Sequence, residues 1–459
     1  MSRGLAGPRR LVAPRQLTPA AISGDGPPFE RSVLDNGMRV IAQPMPAARS
    51  VAVALLVGVG SRRETDEQAG LSHLLEHLVF KGTRGHPEAG GLSEAIEGSG
   101  GSVNASTDRE LTVYSSRVPR LHAARGLEVV AELALRPLLR RADLIAEKPV
   151  IVDEIRMYVD SPSDHVFTLF DELLFAGHPL GREIAGSPRS VRHASQVATV
   201  AHWRRWYRPE HLVLAVAGAI EPAEVRRVAE SWWDAETRDW LTDTPLPLTD
   251  AEPMPVGPPA FGEPGALKVA HRRLSQGNLC LGMPGTARDD PDRWALDLLG
   301  AVLGDGMSSR LFLELRERRS LAYDVSTFAA TFSDCGTFGV HAGFDPDRAY
   351  QVVAAIVEQL ERVVQQPVSS TELERARAYT RGRLELRMEE TGAVAGWLGM
   401  GESLLPRIMT VDEVVERLEA VTVDDLLRVA RRFARPDQAR LAVLGPFRSA
   451  RGFERALRS

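Results

Sequence analysis

Several features that mark other protein classes are scarce in this sequence. Its 459 residues include only two cysteines, too few for a disulfide-bonded scaffold and consistent with a reducing compartment. No apolar run reaches the roughly 18 residues that a membrane-spanning helix needs. The formal net charge is -5 and lysine occurs only at Lys81, Lys148 and Lys268, so the chain lacks the basic excess typical of nucleic-acid-binding proteins. We therefore expect a cytoplasmic protein with no membrane or nucleic-acid partner.

The first 29 residues differ in composition from the rest. Met1 to Gly24 contains four arginines and no acidic residue, the first acid being Asp25. The segment lacks a central apolar region, which argues against a secretory signal. An arginine-rich stretch of this kind also resembles an organellar presequence, and in that case the protein would act in an organellar matrix. We predict instead that residues 1–29 are a disordered extension.

An apolar segment of helical character, Gly70–Thr83, contains two histidines and a glutamate. His73 and His77 are four residues apart, so on a helix both imidazoles lie on one face and can reach one metal ion. Glu76 precedes the second histidine, which gives the order H-x-x-E-H, the reverse of the common H-E-x-x-H zinc signature. Such a pair alone is more often structural. Here the neighbours are leucine, valine and phenylalanine, and burying three ionisable side chains is costly unless a metal or firm hydrogen bonds satisfy them. We predict a metal site.

A third metal ligand is expected from elsewhere, because a catalytic zinc ion usually takes three protein ligands. A second predicted helix, over residues 141–159, contains Glu147, Asp153 and Glu154. Glu147 and Glu154 are seven residues apart, which is two helical turns and places them on one face. The spacing alone does not choose among the three carboxylates.

The remaining pattern predicts strands and helices in alternation. Asn36-Gly37 is a strong two-residue turn signal between two short strands. A valine-rich apolar run is typical of a buried central strand. We predict a hairpin over 31–43, a central strand over 51–59, a short helix within 90–101, a strand or strand pair over 102–116, helices over 121–135 and 222–233, and a strand over 212–219.

Two halves of the sequence resemble each other on either side of a proline-rich segment. Residues 241–264 contain seven prolines, which predicts a linker. Before the linker, Arg208-Pro-Glu leads into an apolar strand and a glycine, and Arg435-Pro-Asp does the same near the end of the chain. Gly60 and Gly285 begin similar segments near the start of each half. The two offsets are nearly equal (435 − 208 = 227 and 285 − 60 = 225), and a duplicated domain explains both.

The duplication does not extend to the metal residues. When the two halves are aligned at the 225-residue offset of the two glycines, the first histidine, the glutamate and the second histidine align in that order with Leu298, Ala301 and Val302. The second half is therefore expected to keep the apolar helix without the metal chemistry.

Three segments together give the chain a family resemblance. They are Gly60-Ser-Arg-Arg-Glu64, the histidine-containing Gly70–Thr83, and Asp153-Glu-Ile-Arg-Met-Tyr-Val-Asp-Ser-Pro162. With them the chain resembles the pitrilysin/insulinase (M16) zinc metallopeptidases, most closely the short bacterial and mitochondrial-processing-peptidase-beta-like members. The family has a further glutamate at a characteristic distance after its second histidine, and Glu154 stands at that distance from His77.

The resemblance implies roles for nine residues. One zinc ion per chain would be bound by His73, His77 and Glu154. Glu76 would act as general base and Glu147 would support the site. Asn104 and Ala105 match the family's substrate-binding edge strand, although by themselves they fit any edge strand with a polar face. Arg316 and Tyr323 match an arginine–tyrosine pair that contacts the substrate carbonyl and the developing oxyanion, although Arg316 alone would pass for a solvated arginine.

The implied fold is α+β, with two homologous α/β domains of the LuxS/MPP-like metallohydrolase type. Each domain would be a mainly antiparallel sheet packed with helices. We predict a catalytic zinc-binding domain over 30–240, a linker over 241–264 and a substrate-binding domain without the zinc motif over 265–459.

The implied function is that of a zinc-dependent endopeptidase that cleaves short or unfolded peptides inside a chamber. The alternative is a non-catalytic or partner-dependent subunit of a heterodimeric processing peptidase. Besides a peptide substrate, the resemblance implies a homodimer or a heterodimer with a related chain, because one chain supplies half of the four domains that form the family's chamber.

Overall fold

The protein is described by a computed structural model over residues 28–233 and 257–458. Predictions for residues 1–27, and for the part of the linker before residue 257, lie outside the described residues. The same holds for the boundary placed at residue 240, so the division into domains stays a prediction.

The first half contains six strands and eight α-helices among the described residues. The strands are β1 (Glu30–Val33), β2 (Arg39–Pro44), β3 (Ser50–Val57), β4 (Ser102–Thr107), β5 (Thr112–Pro119) and β6 (Leu212–Gly218). The helices are α1 (Leu71–Val79), α2 (Gly91–Glu97), α3 (Ala123–Leu135), α4 (Arg141–Asp160), α5 (Pro162–Leu174), α6 (Pro188–His193), α7 (Gln196–Trp206) and α8 (Pro222–Ser231).

The second half contains five strands and seven α-helices in the described part of the chain. The strands are β7 (Leu267–His271), β8 (Gly277–Gly285), β9 (Ala322–Thr331), β10 (Gly336–Phe344) and β11 (Arg440–Gly445). The helices are α9 (Arg293–Leu303), α10 (Ala349–Gln365), α11 (Ser370–Arg387), α12 (Thr391–Leu404), α13 (Val411–Ala420), α14 (Val423–Phe433) and α15 (Arg451–Ala456), and a π-helical segment, Phe312–Arg318, precedes β9. No helix in residues 28–233 or 257–458 has the length and apolar character needed to cross a membrane.

The predicted local elements of the first half are present. β1 and β2 form an antiparallel hairpin, and Gly37 in its loop has a φ of 92°, which a residue without a side chain adopts at little cost. β3 lies between β6 and β5 and is buried along nearly its whole length, as a central strand requires. The segment 102–116 forms the paired strands β4 and β5. These predictions are confirmed.

Apart from β1, an extra edge strand of the first sheet, the two sheets have the same topology, which confirms the duplication. The first has the order β1-β2-β6-β3-β5-β4 and the second has the order β7-β11-β8-β10-β9. In each, one pair is parallel (β2 with β6, β7 with β11) and the other neighbours are antiparallel. Leu298, Ala301 and Val302 lie buried in α9, so the second half keeps an apolar helix where the first has its histidines. The fold prediction is thus confirmed.

Each sheet is covered on one face by helices of its own half and on the other face by a helix of the opposite half. Helix α12, from the second half, packs on β3 and β6, where Val394 and Leu398 join a cluster with Leu56 and Ala215. Helix α5, from the first half, packs on β8 and β11. The reciprocal cluster combines side chains of α5 with residues of both strands: Val166, Leu169, Phe170, Leu174, Cys280, Ala442 and Leu444.

Glycines allow this close helix-to-sheet packing. A Cβ atom on Gly399 of α12 would lie 2.1 Å from Leu56 Cδ1, and a Cβ atom on Gly282 of β8 would lie 2.7 Å from Phe170 Cζ. Both distances are shorter than side-chain contacts permit. The glycine that allows the close approach therefore belongs to the helix in one interface and to the strand in the other.

A polar cluster joins the loops of two equivalent hairpins near the boundary between the halves. The buried guanidinium of Arg62 donates to Glu110, at 2.9 Å, and to Asp334, at 2.5 Å. Glu110 follows β4, whereas Asp334 precedes β10. Glu110 also accepts hydrogen bonds from Ser333 and from Arg288. Partly buried charges on both halves are thus neutralised by one another.

The helix exchange predicts that α12 stabilises the half to which it does not belong in sequence. Replacing Leu398 by alanine removes a fully buried side chain at that interface, and we expect a loss of about 2–5 kcal/mol in the free energy of unfolding. Urea unfolding followed by circular dichroism would measure it. Leu386→Ala is the matched control, since Leu386 is 68% exposed on the preceding helix. Equal stability of the two variants would contradict the packing role of α12.

Candidate functional site

The helix that contains both histidines is held at its N-terminus by a buried carboxylate. Gly70, with a φ of 92°, precedes α1, and a Cβ atom there would lie 2.4 Å from the carbonyl oxygen of Ala185. Glu64 accepts hydrogen bonds at 2.7 Å from the backbone N–H groups of Gly70 and Ser72. A carboxylate at this end also interacts favourably with the helix dipole. Burial raises the pKa of Glu64 to about 7, and the hydrogen bonds from Ser72 and Gly70 oppose that rise.

Both histidines turn toward one carboxylate of helix α4. His73 Nε2 lies 3.6 Å from one oxygen of Glu154, and His77 Nε2 lies 3.4 Å from the other. One ligand atom from each of the three residues can be chosen so that all lie within 4.8 Å of one another. Asp153, the neighbouring acid, is exposed and pairs with Arg156 instead. The geometry therefore brings Glu154, and not Asp153, to the histidine pair.

Glu147 contacts His77 at Nδ1, the ring nitrogen that does not face Glu154. His77 Nδ1–H donates to one oxygen of Glu147 at 2.9 Å, and Lys81 Nζ lies 2.7 Å from the other oxygen. A proton held on Nδ1 leaves the lone pair of Nε2 free on the side of Glu154. This carboxylate–histidine arrangement is common around protein-bound metals, where it fixes the tautomer and the ring orientation.

The donor set fits a zinc ion. Two imidazoles and one carboxylate are a usual ligand set for catalytic zinc, and they leave one position for water. Burial, reinforced by the proximity of His77, lowers the pKa of His73 to about 4, so its imidazole is in the neutral form that metals bind. His73 Nδ1 is buried and has no hydrogen-bond partner among the described residues. Among the described residues, the two Nε2 atoms have no close polar partner other than the carboxylate of Glu154.

Glu76 lies beside the ligands but contacts the edge strand. The hydroxyl of Thr107, the last residue of β4, donates a hydrogen bond of 2.6 Å to Glu76. Burial raises the pKa of Glu76, and the bond from Thr107 partly offsets this. A carboxylate with one oxygen held in this way can still accept a proton with the other.

The predicted substrate strand, β4, is at the edge of its sheet. Among the described strands it pairs with β5 alone. Asn104 is exposed on one face, whereas Ala105 points into the core of the first half. The side-chain oxygen of Asn104 accepts a hydrogen bond from the backbone N–H of Ala105 at 2.9 Å. The strand therefore has an unpaired side that ends next to Glu76.

Arg316 and Tyr323 contact each other but not the metal residues. Arg316 donates to the carbonyl oxygen of Tyr323 at 3.0 Å, and the tyrosine side chain is 47% exposed on β9. Within the described chain, neither forms a hydrogen bond or ion pair with the histidines or with Glu76. Tyr323 is near the start of β9, and Ser333 follows the end of that strand. The ten residue steps between them span about 30 Å in an extended strand. Ser333 contacts Glu110, which lies three residues beyond Thr107. The candidate metal ligands are thus connected through Glu76, Thr107 and Glu110 to the Ser333 end of β9, whereas Tyr323 lies near the other end.

Sequence reasoning missed several supporting residues. Glu64 could have been found, because it lies in one of the segments that carry the family resemblance. Lys81 also lies in such a segment, whereas Thr107 and the hydrogen bond of 3.0 Å between Ser72 and buried His202 had no sequence signal. Their roles depend on contacts between elements that are distant in the chain.

Comparison with protein families supports the same assignment along most of the chain. Residues 39–188 match the family model described as insulinase (peptidase family M16), and residues 200–379 match the one described as peptidase M16 inactive domain. The chain is 35% identical over 424 residues to an uncharacterized zinc protease of Streptomyces coelicolor, covering 91% of this chain and 90% of that one.

Solved structures share the fold. A protease from Helicobacter pylori superimposes with a TM-score of 0.81 at 24% identity, over 92% of this chain and all of that one (100%). A peptidase M16 inactive domain from Pseudomonas fluorescens gives a TM-score of 0.78 at 20% identity, over 92% of this chain and 98% of the other. At these identities the structures support the two-domain fold rather than the chemistry.

The arrangement of His77 between Glu154 and Glu147 predicts graded effects on metal content. We expect His73→Ala to lose zinc, because a ligand is removed. Glu147→Gln should still bind one zinc ion per chain but about 10–100-fold more weakly, because the group that orients His77 is altered. Elemental analysis and a competition titration with a chelator would measure both. Asp153→Asn is the control and should bind zinc normally; full zinc content in His73→Ala would refute the ligand assignment.

Proposed function

Because the chain belongs to the insulinase (M16) family of peptidases, we propose that it is a zinc-dependent endopeptidase that cleaves short or unfolded peptides. The observation that carries the proposal is the convergence of two imidazoles and the carboxylate of Glu154 within 4.8 Å. A second carboxylate, Glu76, lies beside them with one oxygen held by Thr107.

In this proposal His73, His77 and Glu154 would hold one zinc ion. When bound, zinc lowers the pKa of a water molecule and polarises a carbonyl group. Glu76 takes the proton of the attacking water and passes it to the leaving amine. Thr107 keeps Glu76 in place through the hydrogen bond of 2.6 Å, and Glu147 keeps His77 in the required tautomer.

The edge strand supports an extended substrate. A peptide that pairs with the free side of β4 gains main-chain hydrogen bonds next to Asn104 and Ala105, and its backbone passes Glu76 at the Thr107 end. An unfolded segment has its backbone groups free for such pairing along its whole length. Most backbone groups of a folded domain are already paired with one another, so we propose that peptides and unfolded chains are the substrates. We also propose that the protein acts in a reducing bacterial cytoplasm, which its bacterial relatives and its two buried free cysteines favour.

We also propose that the working unit is a dimer, in which Tyr323 and Arg316 of one copy act at the metal centre of the other. The support is the extended path of about 30 Å between Tyr323 and the hairpin end that lies near the metal ligands of the same chain. The exposed phenol ring of Tyr323 would be available to a partner. An oxyanion donor of this kind is typically worth about 10²–10³ in rate.

A partner-dependent subunit of a heterodimer is the second candidate. The same separation of Tyr323 from the metal ligands favours it, since a single chain would lack one part of the site. A related but different chain could supply that part instead of a second copy.

The first functional prediction concerns Glu76. We expect Glu76→Gln to bind zinc like the wild type but to cleave an unstructured peptide about 10²–10⁴-fold more slowly, because a carboxamide cannot accept the proton. Glu67→Gln, a change at an exposed position in the same region, is the control. Near-normal turnover by Glu76→Gln would assign the general base to another residue.

The proposed substrate class makes a separate prediction. The same cleavable sequence, placed inside a stable folded domain, should resist the wild-type enzyme.

The dimer proposal predicts complementation between two inactive chains. Glu76→Gln and Tyr323→Phe should each be slow alone. Co-expressed, they should recover about a quarter of wild-type activity, because half of the dimers are mixed and each mixed dimer has one intact site. Peptide cleavage by the co-purified species, with its mass measured in solution, provides the test. No recovery in a preparation shown to contain mixed dimers would mean that Tyr323 does not act across chains.

A further inference from the structure

A cavity at the boundary of the two halves lies at the far end of the edge strand. Its volume is about 680 Å³, and we call it the junction cavity. The first half contributes Arg49, Arg117 and the segment Gly100 to Ser102, and the second half contributes Glu389 and Thr391. Ser102 is the first residue of β4, whose last residue contacts Glu76. The cavity and the catalytic carboxylate are thus at opposite ends of one strand.

The junction cavity has an excess of positive charge. Neither Arg49 nor Arg117 forms an ion pair within the described parts of the chain, although other arginines at the boundary are paired, such as Arg31 with Glu402 and Arg62 with Asp334. Glu389 lines the same cavity without pairing to either guanidinium. Two cations and one anion in a concave site favour an anionic group as ligand, and arginine is suited to a carboxylate.

The geometry of the strand relates this cavity to the substrate. From Thr107 to Ser102 is five residue steps, or about 17 Å in an extended strand. A peptide paired antiparallel to β4, as β5 is on the other side, would run from the Thr107 end toward the cavity. Residues after the scissile bond would then approach Arg49 and Arg117. In the parallel direction a cationic amino terminus would meet the two guanidinium groups, which is unfavourable.

We propose that the junction cavity binds a carboxylate of the peptide substrate, about five to seven residues after the scissile bond. The inference rests on the proposed function, because it takes the β4 edge as the substrate site. The carboxylate can be the carboxyl terminus of the peptide or an acidic side chain at that distance. The cavity would therefore favour peptides of a particular length or with an acidic residue on that side.

Two peptide series test the proposal. One cleavable sequence is made with two to nine residues after the scissile bond, each as the free acid and as the carboxyl-terminal amide. With the wild-type enzyme we expect KM to be about fivefold lower for the free acid when five to seven residues follow the bond, and equal for both forms when two follow. The double variant Arg49→Gln/Arg117→Gln should lose the difference. Arg120→Gln, an exposed arginine outside this cavity, should keep it.

A binding measurement separates this proposal from the catalytic one. Fluorescently labelled peptides are titrated against the Glu76→Gln chain, with and without the two arginine substitutions, so that affinity is measured without turnover. Two amidated peptides, with either Asp or Asn at the sixth position after the scissile bond, show whether a side-chain carboxylate suffices or the carboxyl terminus is required. Equal affinity for acid and amide at every length, or a preference that survives both substitutions, would overturn the proposal. Tight binding of free acids without any cleavage by the wild type would support the cavity and count against the peptidase assignment.

Discussion

The central strands of both sheets are apolar on two faces, and the fold follows from the need to cover both. β3 and β6 are buried along nearly their whole lengths, as are β8 and β11 in the second half. Leaving one face of such a strand in water would forfeit roughly 25 cal/mol for each Å² of apolar surface. The helices of one half cover one face, and the second face receives a single helix from the other half. Each half therefore completes the core of the other.

This exchange determines where the functional residues can lie. With α5 and α12 crossing the boundary in opposite directions, the halves pack as one unit, and the Arg62–Glu110–Asp334 cluster joins two of their hairpin loops. The candidate metal site approaches that boundary, since Thr107, which bonds Glu76, is only three residues from Glu110. Tyr323 is left at the opposite end of β9. The same packing that holds the halves together thus separates the two groups of residues that the family resemblance links.

The metal helix illustrates how buried polar groups are accommodated. α1 is largely apolar, and its ionisable side chains would be unfavourable in such surroundings without partners. Glu64 satisfies two N–H groups at its first turn, His202 bonds Ser72, and Glu147 bonds His77. The supporting residues come from the loop before α1 and from helices α4 and α7. The orientation of both imidazoles therefore depends on packing among elements far apart in sequence.

The sequence by itself determined the features that depend on short spacing. Two histidines four residues apart must share a helical face, an Asn-Gly pair favours a tight turn, and a long valine-rich apolar run must be buried. The duplication was also visible, because equivalent strands and turns recur at a nearly constant offset.

Helix spacing alone did not choose between Asp153 and Glu154, which are adjacent on one helix and differ by about 100° in direction around its axis. The family resemblance pointed to Glu154, and the tertiary structure showed that this carboxylate is the one facing the histidines. It also decided that Thr107 holds Glu76 and that α5 and α12 exchange partners. An apolar face shows that a helix is buried but carries no information about which surface buries it, so such pairings depend on the complete packed core.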